Sequence, residues 1–113
     1  MDNEAVLEAF GDAFNRKDVD AVMALMTDDC VHESTDPAPD GVRHQGQAAV
    51  RAYWVRLFEG TPVMRFDNED VFVCGDRATV RWTFSWDGGH VRGVDVFRFR
   101  DGKVAEKLSY VKG

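Results

Sequence analysis

Long apolar runs, basic clusters and closely spaced cysteines are all missing from this 113-residue sequence, and each absence removes a class of function. No stretch approaches the ~20 apolar residues of a membrane-spanning helix. The opening Met1-Asp2-Asn3-Glu4 is acidic and lacks the basic region and apolar core of a secretion signal, so a cytoplasmic protein is expected. Lys and Arg number 14 against 20 Asp and Glu, a formal net charge of −6. Nucleic-acid binding needs clustered cations for phosphate, and anionic membrane repels an acidic surface, so neither is an expected partner. Cys30 and Cys74 form no CxxC or other ligand spacing; both are expected as reduced, mostly buried thiols without zinc or disulfide. A glycine-rich phosphate loop and a nucleophile motif are also missing, and no cofactor is indicated.

What is present suits one domain spanning residues 1–113, with a hydrophobic content of 44% that is ordinary for a folded globule. A chain this short gains from burying further surface in an oligomer.

The first half carries helical periodicity. Val6, Leu7, Phe10 and Phe14 recur at helical spacing behind a capping start at Asp2-Asn3. Asp18 caps a second, short helix with Val19, Val22, Met23 and Met26, which Thr27-Asp28-Asp29 ends; Cys30 to Ser34 then reads as a short strand. Thr35 to Gln45, with Pro37, Pro39 and Gly41, reads as loop. After Gly46, Val50, Tyr53, Trp54, Leu57 and Phe58 mark the apolar stripe of a third helix, stopped by Gly60-Thr61-Pro62.

The second half alternates. A strand lies near Met64 to Val73, and Ala78, Val80, Trp82, Phe84 and Trp86 share one face of the next. Asp87-Gly88-Gly89 makes a hairpin turn into a strand from His90 to about Phe99. Arg100-Asp101-Gly102 fits a three-residue turn into a last strand, Lys103 to Val111. Helices followed by an antiparallel meander define an α+β domain.

The segments Ala13-Phe14-Asn15…Asp18-Val19-Asp20, Met26-Thr27-Asp28-Asp29-Cys30-Val31, Gly46-Gln47-Ala48-Ala49-Val50 and Val94-Asp95-Val96-Phe97-Arg98 resemble the SnoaL-like branch of the NTF2-like superfamily. So does Asp101-Gly102-Lys103-Val104 with Glu106 after it, and the likeness runs over nearly the whole chain. The resemblance implies a cone, with three helices packed in a curved, mostly antiparallel sheet around one pocket. It also implies a homodimer through the outer sheet face. Its members include polyketide cyclases, ketosteroid isomerases, dehydratases, epoxide hydrolases and non-catalytic binding domains, so the fold does not name the activity.

Asp95 is the first candidate for chemistry. It shares parity with Gly93, Phe97 and Phe99 and so points to the apolar side, where burial disfavours a charged carboxyl. The resemblance implies proton chemistry for an acid at this position. With a three-residue turn and bulge, Phe99 faces Lys103 and Asp95 faces Lys107; a Lys–Asp pair would keep both groups charged and blunt Asp95 as an acid. A two-residue turn instead directs Glu106 and Leu108 inward and leaves Lys107 in solvent. SnoaL-type enzymes often carry a His where Lys107 stands; here the run is Lys107-Leu108-Ser109, with Ser109 counted among the ligand-binding candidates.

His32 is a candidate base, since its side chain titrates near neutrality, or else a hydrogen-bonded core histidine. In ketosteroid isomerases the catalytic base matches Ser34 and a tyrosine matches Phe10; both replacements remove a proton carrier, which argues against that reaction. Phe10 and Ser34 remain as pocket contacts. Trp54, Trp82 and Phe97 are candidates for a wall against a flat apolar ligand, or ordinary core.

Three functions are open: a cofactor-free enzyme using Asp95 with His32 or Lys107, a non-catalytic pocket for a small ligand, and an interaction module. Arg77, Arg81, Arg92, Arg98 and Arg100 are either interface partners or a solvated sheet face.

Overall fold

A computed structural model describes residues 1–113. The element order is α1 (Asn3–Asn15), α2 (Val19–Ala24), β1 (Met26–Glu33), β2 (Arg43–Gln45), α3 (Gln47–Gly60), β3 (Met64–Cys74), β4 (Arg77–Trp86), β5 (Gly89–Arg100) and β6 (Lys103–Val111). The carboxylates of Asp2 and Asp18 accept from the backbone N–H of Ala5 and Ala21 and so satisfy donors that α1 and α2 leave open at their starts.

One sheet contains all six strands in the order β2-β1-β6-β5-β4-β3. It is mixed: β1 runs parallel to β6, and every other neighbouring pair is antiparallel. Val6, Leu7, Phe10 and Phe14 of α1 and Val50, Trp54 and Phe58 of α3 join Ala78, Val80, Phe97 and Phe99 of the sheet in one apolar core. Phe14 is its hub, with the rings of Trp54, Phe58 and Phe66 edge-on to it at 4.9–5.1 Å. The Asn15 side chain fastens β3 to the end of α1: its amide donates to Phe66 O at 3.0 Å and accepts from Phe66 N at 2.8 Å.

Several expectations change. β1 begins at Met26, because α2 ends at Ala24 and Leu25 caps it; Thr27, Asp28 and Asp29 are therefore strand residues. Part of the expected loop is a strand, since β2 pairs antiparallel with Val31–Glu33. Cys30 is buried, but Cys74 ends edge strand β3 and is exposed. Four of the five arginines are occupied within the chain: Arg81 pairs with Asp70, Arg92 with Glu69, Arg98 with Glu106 and Arg100 with Asp29. No helix is long and apolar enough to cross a membrane.

The β5–β6 hairpin differs in the way that matters most. Asp101 (φ 54°) and Gly102 (φ 72°) form a two-residue, left-handed turn, with Arg100 opposite Lys103. The register runs Phe99↔Val104 and then Arg98↔Glu106, which leaves Ala105 as a bulged extra residue. That bulge reverses the parity a two-residue turn would impose. Lys107 therefore stands opposite Phe97 and Ser109 opposite Asp95, with Glu106 on the other face.

On β5, Gly93 permits a close crossing. A Cβ there would lie 2.3 Å from Tyr110 O and 2.5 Å from Cζ2 of Trp82, whose ring covers this position. Gly93→Ala is therefore expected to destabilise the fold by about 1–3 kcal/mol through overpacking. The check is a lower urea midpoint with an unchanged m-value; a wild-type midpoint would show that Trp82 is not confined.

Candidate functional site

The concave face of the sheet carries a polar group of three side chains, two of them buried. Asp95 and Lys107 project from neighbouring strands with their side chains 7% and 8% exposed, and Lys107 Nζ lies 3.3 Å from Asp95 Oδ2. Lys107 reaches Asp95 diagonally across the ladder, a distance its long side chain can span. Ser109, directly opposite Asp95, bridges the pair: its hydroxyl donates to Asp95 Oδ1 at 2.6 Å and accepts from Lys107 Nζ at 3.0 Å. Both carboxylate oxygens thus have partners, which an ion pair needs if its removal from water is to be offset. The ammonium also lies 5.3 Å from the Trp54 ring centre and 5.9 Å from that of Phe14, adding attraction from two aromatic faces.

Around this group is a two-lobed cavity. The first lobe lies between α1 and β3–β5, walled by Phe10, Phe14, Phe66, Trp82 and Phe97, with Asp95 and Lys107 at its polar end. The second lies between α3 and the β1 and β4–β6 side, where His32, Tyr53, Trp54 and Ser109 contribute. Phe14, Phe66, Trp82 and Lys107 border both. With open solvent at their mouths included, the lobes span about 420 and 480 Å³, of which about 40 and 90 Å³ is open to the centres of water-sized spheres, below the usual span for small-molecule sites.

His32 is 2% exposed and borders the second lobe. Its Nδ1 lies 3.1 Å from Lys107 O; a carbonyl only accepts, so Nδ1 carries the proton and Nε2 keeps the lone pair. Burial, and then the Lys107 charge, hold the imidazole well below its usual pKa, so His32 is neutral at neutral pH. Its ring packs 4.3 Å from Trp54 and 5.1 Å from Tyr53. Tyr53 donates to Asp36 at the cavity mouth at 3.3 Å, and its pKa is pushed up to about 12, by burial first and Asp36 second.

Of the residues singled out in the sequence, Asp95, Lys107, His32, Trp54, Trp82, Phe97, Phe10 and Ser109 border the cavity. Ser34 lies outside both lobes, beside a separate surface cleft. Its hydroxyl donates to Asp36 O at 2.8 Å and accepts from Val42 N at 3.0 Å, closing the proline loop. Lys107 faces inward as the three-residue turn required, although the turn is different and Asp95's direct partner is Ser109. Phe14 and Phe66 belong to the wall and were not singled out as lining; the helical stripe marked Phe14 as apolar, but nothing local marks Phe66. No cluster of three or more His, Cys, Asp or Glu is placed to hold a metal ion.

A curved six-stranded sheet with three helices packed against it is the NTF2-like α+β fold. The chain belongs to the SnoaL-like domain family, whose model matches residues 7–107. It is similar to an NTF2-like protein of unknown function from Mesorhizobium loti, with 43% identity, 98% of this chain and 91% of that one covered, and a TM-score of 0.86. A candidate polyketide cyclase from Sinorhizobium meliloti is 26% identical over 94% of both chains, with a TM-score of 0.82. A candidate ketosteroid isomerase from Kribbella flavida, 17% identical over 98% of this chain and 78% of that one, has a TM-score of 0.83 and shares the fold. No functionally curated protein matches the chain.

Two outcomes follow from this geometry. Lys107→Met leaves Asp95 buried without its counter-charge and is expected to cost about 3–5 kcal/mol, whereas Lys107→Met with Asp95→Leu recovers most of that. Urea unfolding of both variants and of Asp95→Leu alone checks this; a double-variant loss equal to the sum of the two single losses would mean that the pair is not coupled. The second outcome concerns pH. Because the folded His32 pKa lies below its unfolded value, its contribution is fully present above about pH 6.5 and is lost as pH falls towards the folded pKa, at up to ~1.4 kcal/mol per unit. His44 is lowered too, by burial first and Arg56 second. Glu69, held at about 2 chiefly by Arg92, and Asp29, lowered chiefly by Arg100, lose their contributions only in more acid solution. Unfolding between pH 5 and 7 is therefore expected to show a shallower slope in His32→Phe than in the wild type.

Proposed function

We propose that this protein binds one small, flat, largely apolar ligand in its cone, with the ligand's polar end against Lys107. The observation that supports this is the Lys107–Ser109–Asp95 group, with its ion pair buried, beside a largely apolar cavity. Such a group orients a ligand, while the rings of Phe14, Phe66 and Trp82 supply area for its apolar body. The ion pair occupies both Asp95 oxygens and so favours binding over general-base catalysis.

A second reading rests on the 2.6 Å contact between Ser109 and Asp95. A hydroxyl between an ammonium and a carboxylate can relay a proton, which supports a cofactor-free isomerase, cyclase or dehydratase in which Asp95 acts as acid or base. His32, neutral with a free Nε2, would assist it.

The outer sheet face supports the homodimer. Phe72, Thr79, Val96 and Leu108 form one register row across four strands, and Phe72 is 64% exposed. A row of this kind, apolar but for Thr79, suits the same row of a second copy.

Titration with acetophenone tests the pocket and the chemistry together. Saturable amide shifts confined to residues around Phe14, Trp82, Asp95 and Lys107 are expected. In D₂O, exchange of the ketone's methyl protons no faster than in buffer is expected for a binder. Exchange above buffer that disappears in Asp95→Asn would establish the second reading, and scattered exterior shifts would overturn the pocket.

A further inference from the structure

One loop stands between the second lobe of the cavity and two exterior clefts. Thr35 borders both the lobe and a cleft beside Tyr110 of β6. Asp36, with Tyr53 and Leu57 of α3, borders both the lobe and a cleft over α3. Water-sized spheres find about 470 and 370 Å³ in the clefts against about 90 Å³ in the lobe. A small molecule therefore has room outside this wall and too little behind it while the wall stands.

The loop is tied firmly at its base and weakly at its edge. At the base, Ser34 N–H donates to Val42 O at 3.1 Å, and Val42 N–H donates to Ser34 Oγ at 3.0 Å. Within the loop, Gly41 N–H donates to Pro37 O at 2.8 Å, and the rings of Pro37 and Pro39 restrict its backbone. Residues 36–40 are all exposed. The one hydrogen bond between residues 35–41 and α3 runs from the Tyr53 hydroxyl to Asp36 Oδ1 at 3.3 Å, long for a hydroxyl donor. The segment can thus swing as a unit about Ser34 and Val42 with one hydrogen bond to break, leaving the pairing of β1 with β2 in place.

Building on the pocket proposed above, we infer that residues 35–41 form a gate over the second lobe, latched by the Tyr53–Asp36 hydrogen bond, through which the cavity's ligand enters and leaves. Closed, the gate shields His32 and Trp54; open, it joins the lobe to the exterior clefts. Removing the latch should raise the open population by roughly up to tenfold.

The test reads opening through His32, which borders the lobe, is 2% exposed and is neutral at neutral pH. Its carbethoxylation by diethyl pyrocarbonate, followed by mass spectrometry, needs the gate open. Exposed His90 is the internal reference, and buried Cys30 on the same strand reports wider unfolding through its rate with a thiol reagent. Asp36→Ala, at an exposed position, and Tyr53→Phe, which keeps the ring, are each expected to speed His32 relative to His90 by about three- to tenfold, with Cys30 unchanged. Unchanged His32 rates in both variants overturn the gate, as does a parallel rise at Cys30 in both. If Tyr53→Phe alone frees Cys30, Asp36→Ala decides. Rising acetophenone is expected to slow His32 modification in the wild type. Protection by acetophenone without acceleration in the variants leaves the pocket standing and overturns the gate. Acceleration without protection overturns the pocket, and with it the gate's part in ligand entry.

Discussion

The single unpaired residue Ala105 sets the parity of β6, and the interior of the cone depends on that parity. Without the bulge, the two-residue turn at Asp101-Gly102 would direct Glu106 and Leu108 inward. Glu106 would then join Asp95 on the concave side, placing two carboxylates in one apolar space without a cation. With the bulge, Lys107 and Ser109 enter and Glu106 meets Arg98 on the outer face at 3.1 Å. One extra residue therefore exchanges a repulsive arrangement for a paired one on both faces of the sheet.

The same strand also fixes His32. β1 runs parallel to β6 with His32 in register with Lys107, so the carbonyl of Lys107 receives the imidazole Nδ1–H while its side chain points into the cavity. The residue that supplies the cavity's positive charge thus also selects the tautomer of the neighbouring ring, and its charge opposes protonation there. Tyr53 and Trp54 of α3 cover that ring, and Phe14 of α1 covers the ammonium. Helix packing and site electrostatics are consequently one problem: the rings that close the core also exclude water from the ion pair.

Much of this was legible in the sequence, for physical reasons that differ along the chain. Helices α1 and α3 declare themselves because each buries one stripe, and β4 because each alternate residue faces the core. Asp2 and Asp18 announce helix starts through a local hydrogen bond. Sequence alone does not set the start of β1, because Met26 satisfies a helical and a strand pattern equally well, and only pairing with Val104 decides between them. β2 leaves no signal in the sequence, because Arg43-His44-Gln45 has no buried alternation to display. The inward side of Lys107 could be argued from sequence, but the bulge that puts it there could not. Asp101-Gly102 suits turns of either length, and Ala105 carries no mark of being unpaired. The role of Ser109 as a bridge, and the place of Phe66 in the wall, are long-range facts of the same kind.

Neither Phe10 on the first helix nor Ser34 after the first strand carries a carboxyl or a phenol in this chain. Phe10 is a hydrocarbon wall, and Ser34 spends its hydroxyl on the proline loop. The polar chemistry has instead gathered on β5 and β6, in a group whose charges cancel internally. A neutral buried group cannot attract a charged ligand strongly, yet it can hold a dipole in a fixed direction, which costs far less desolvation than binding a second ion. Whether such a cone would hold a ligand or transform it depends on how Asp95 is paired, more than on the fold.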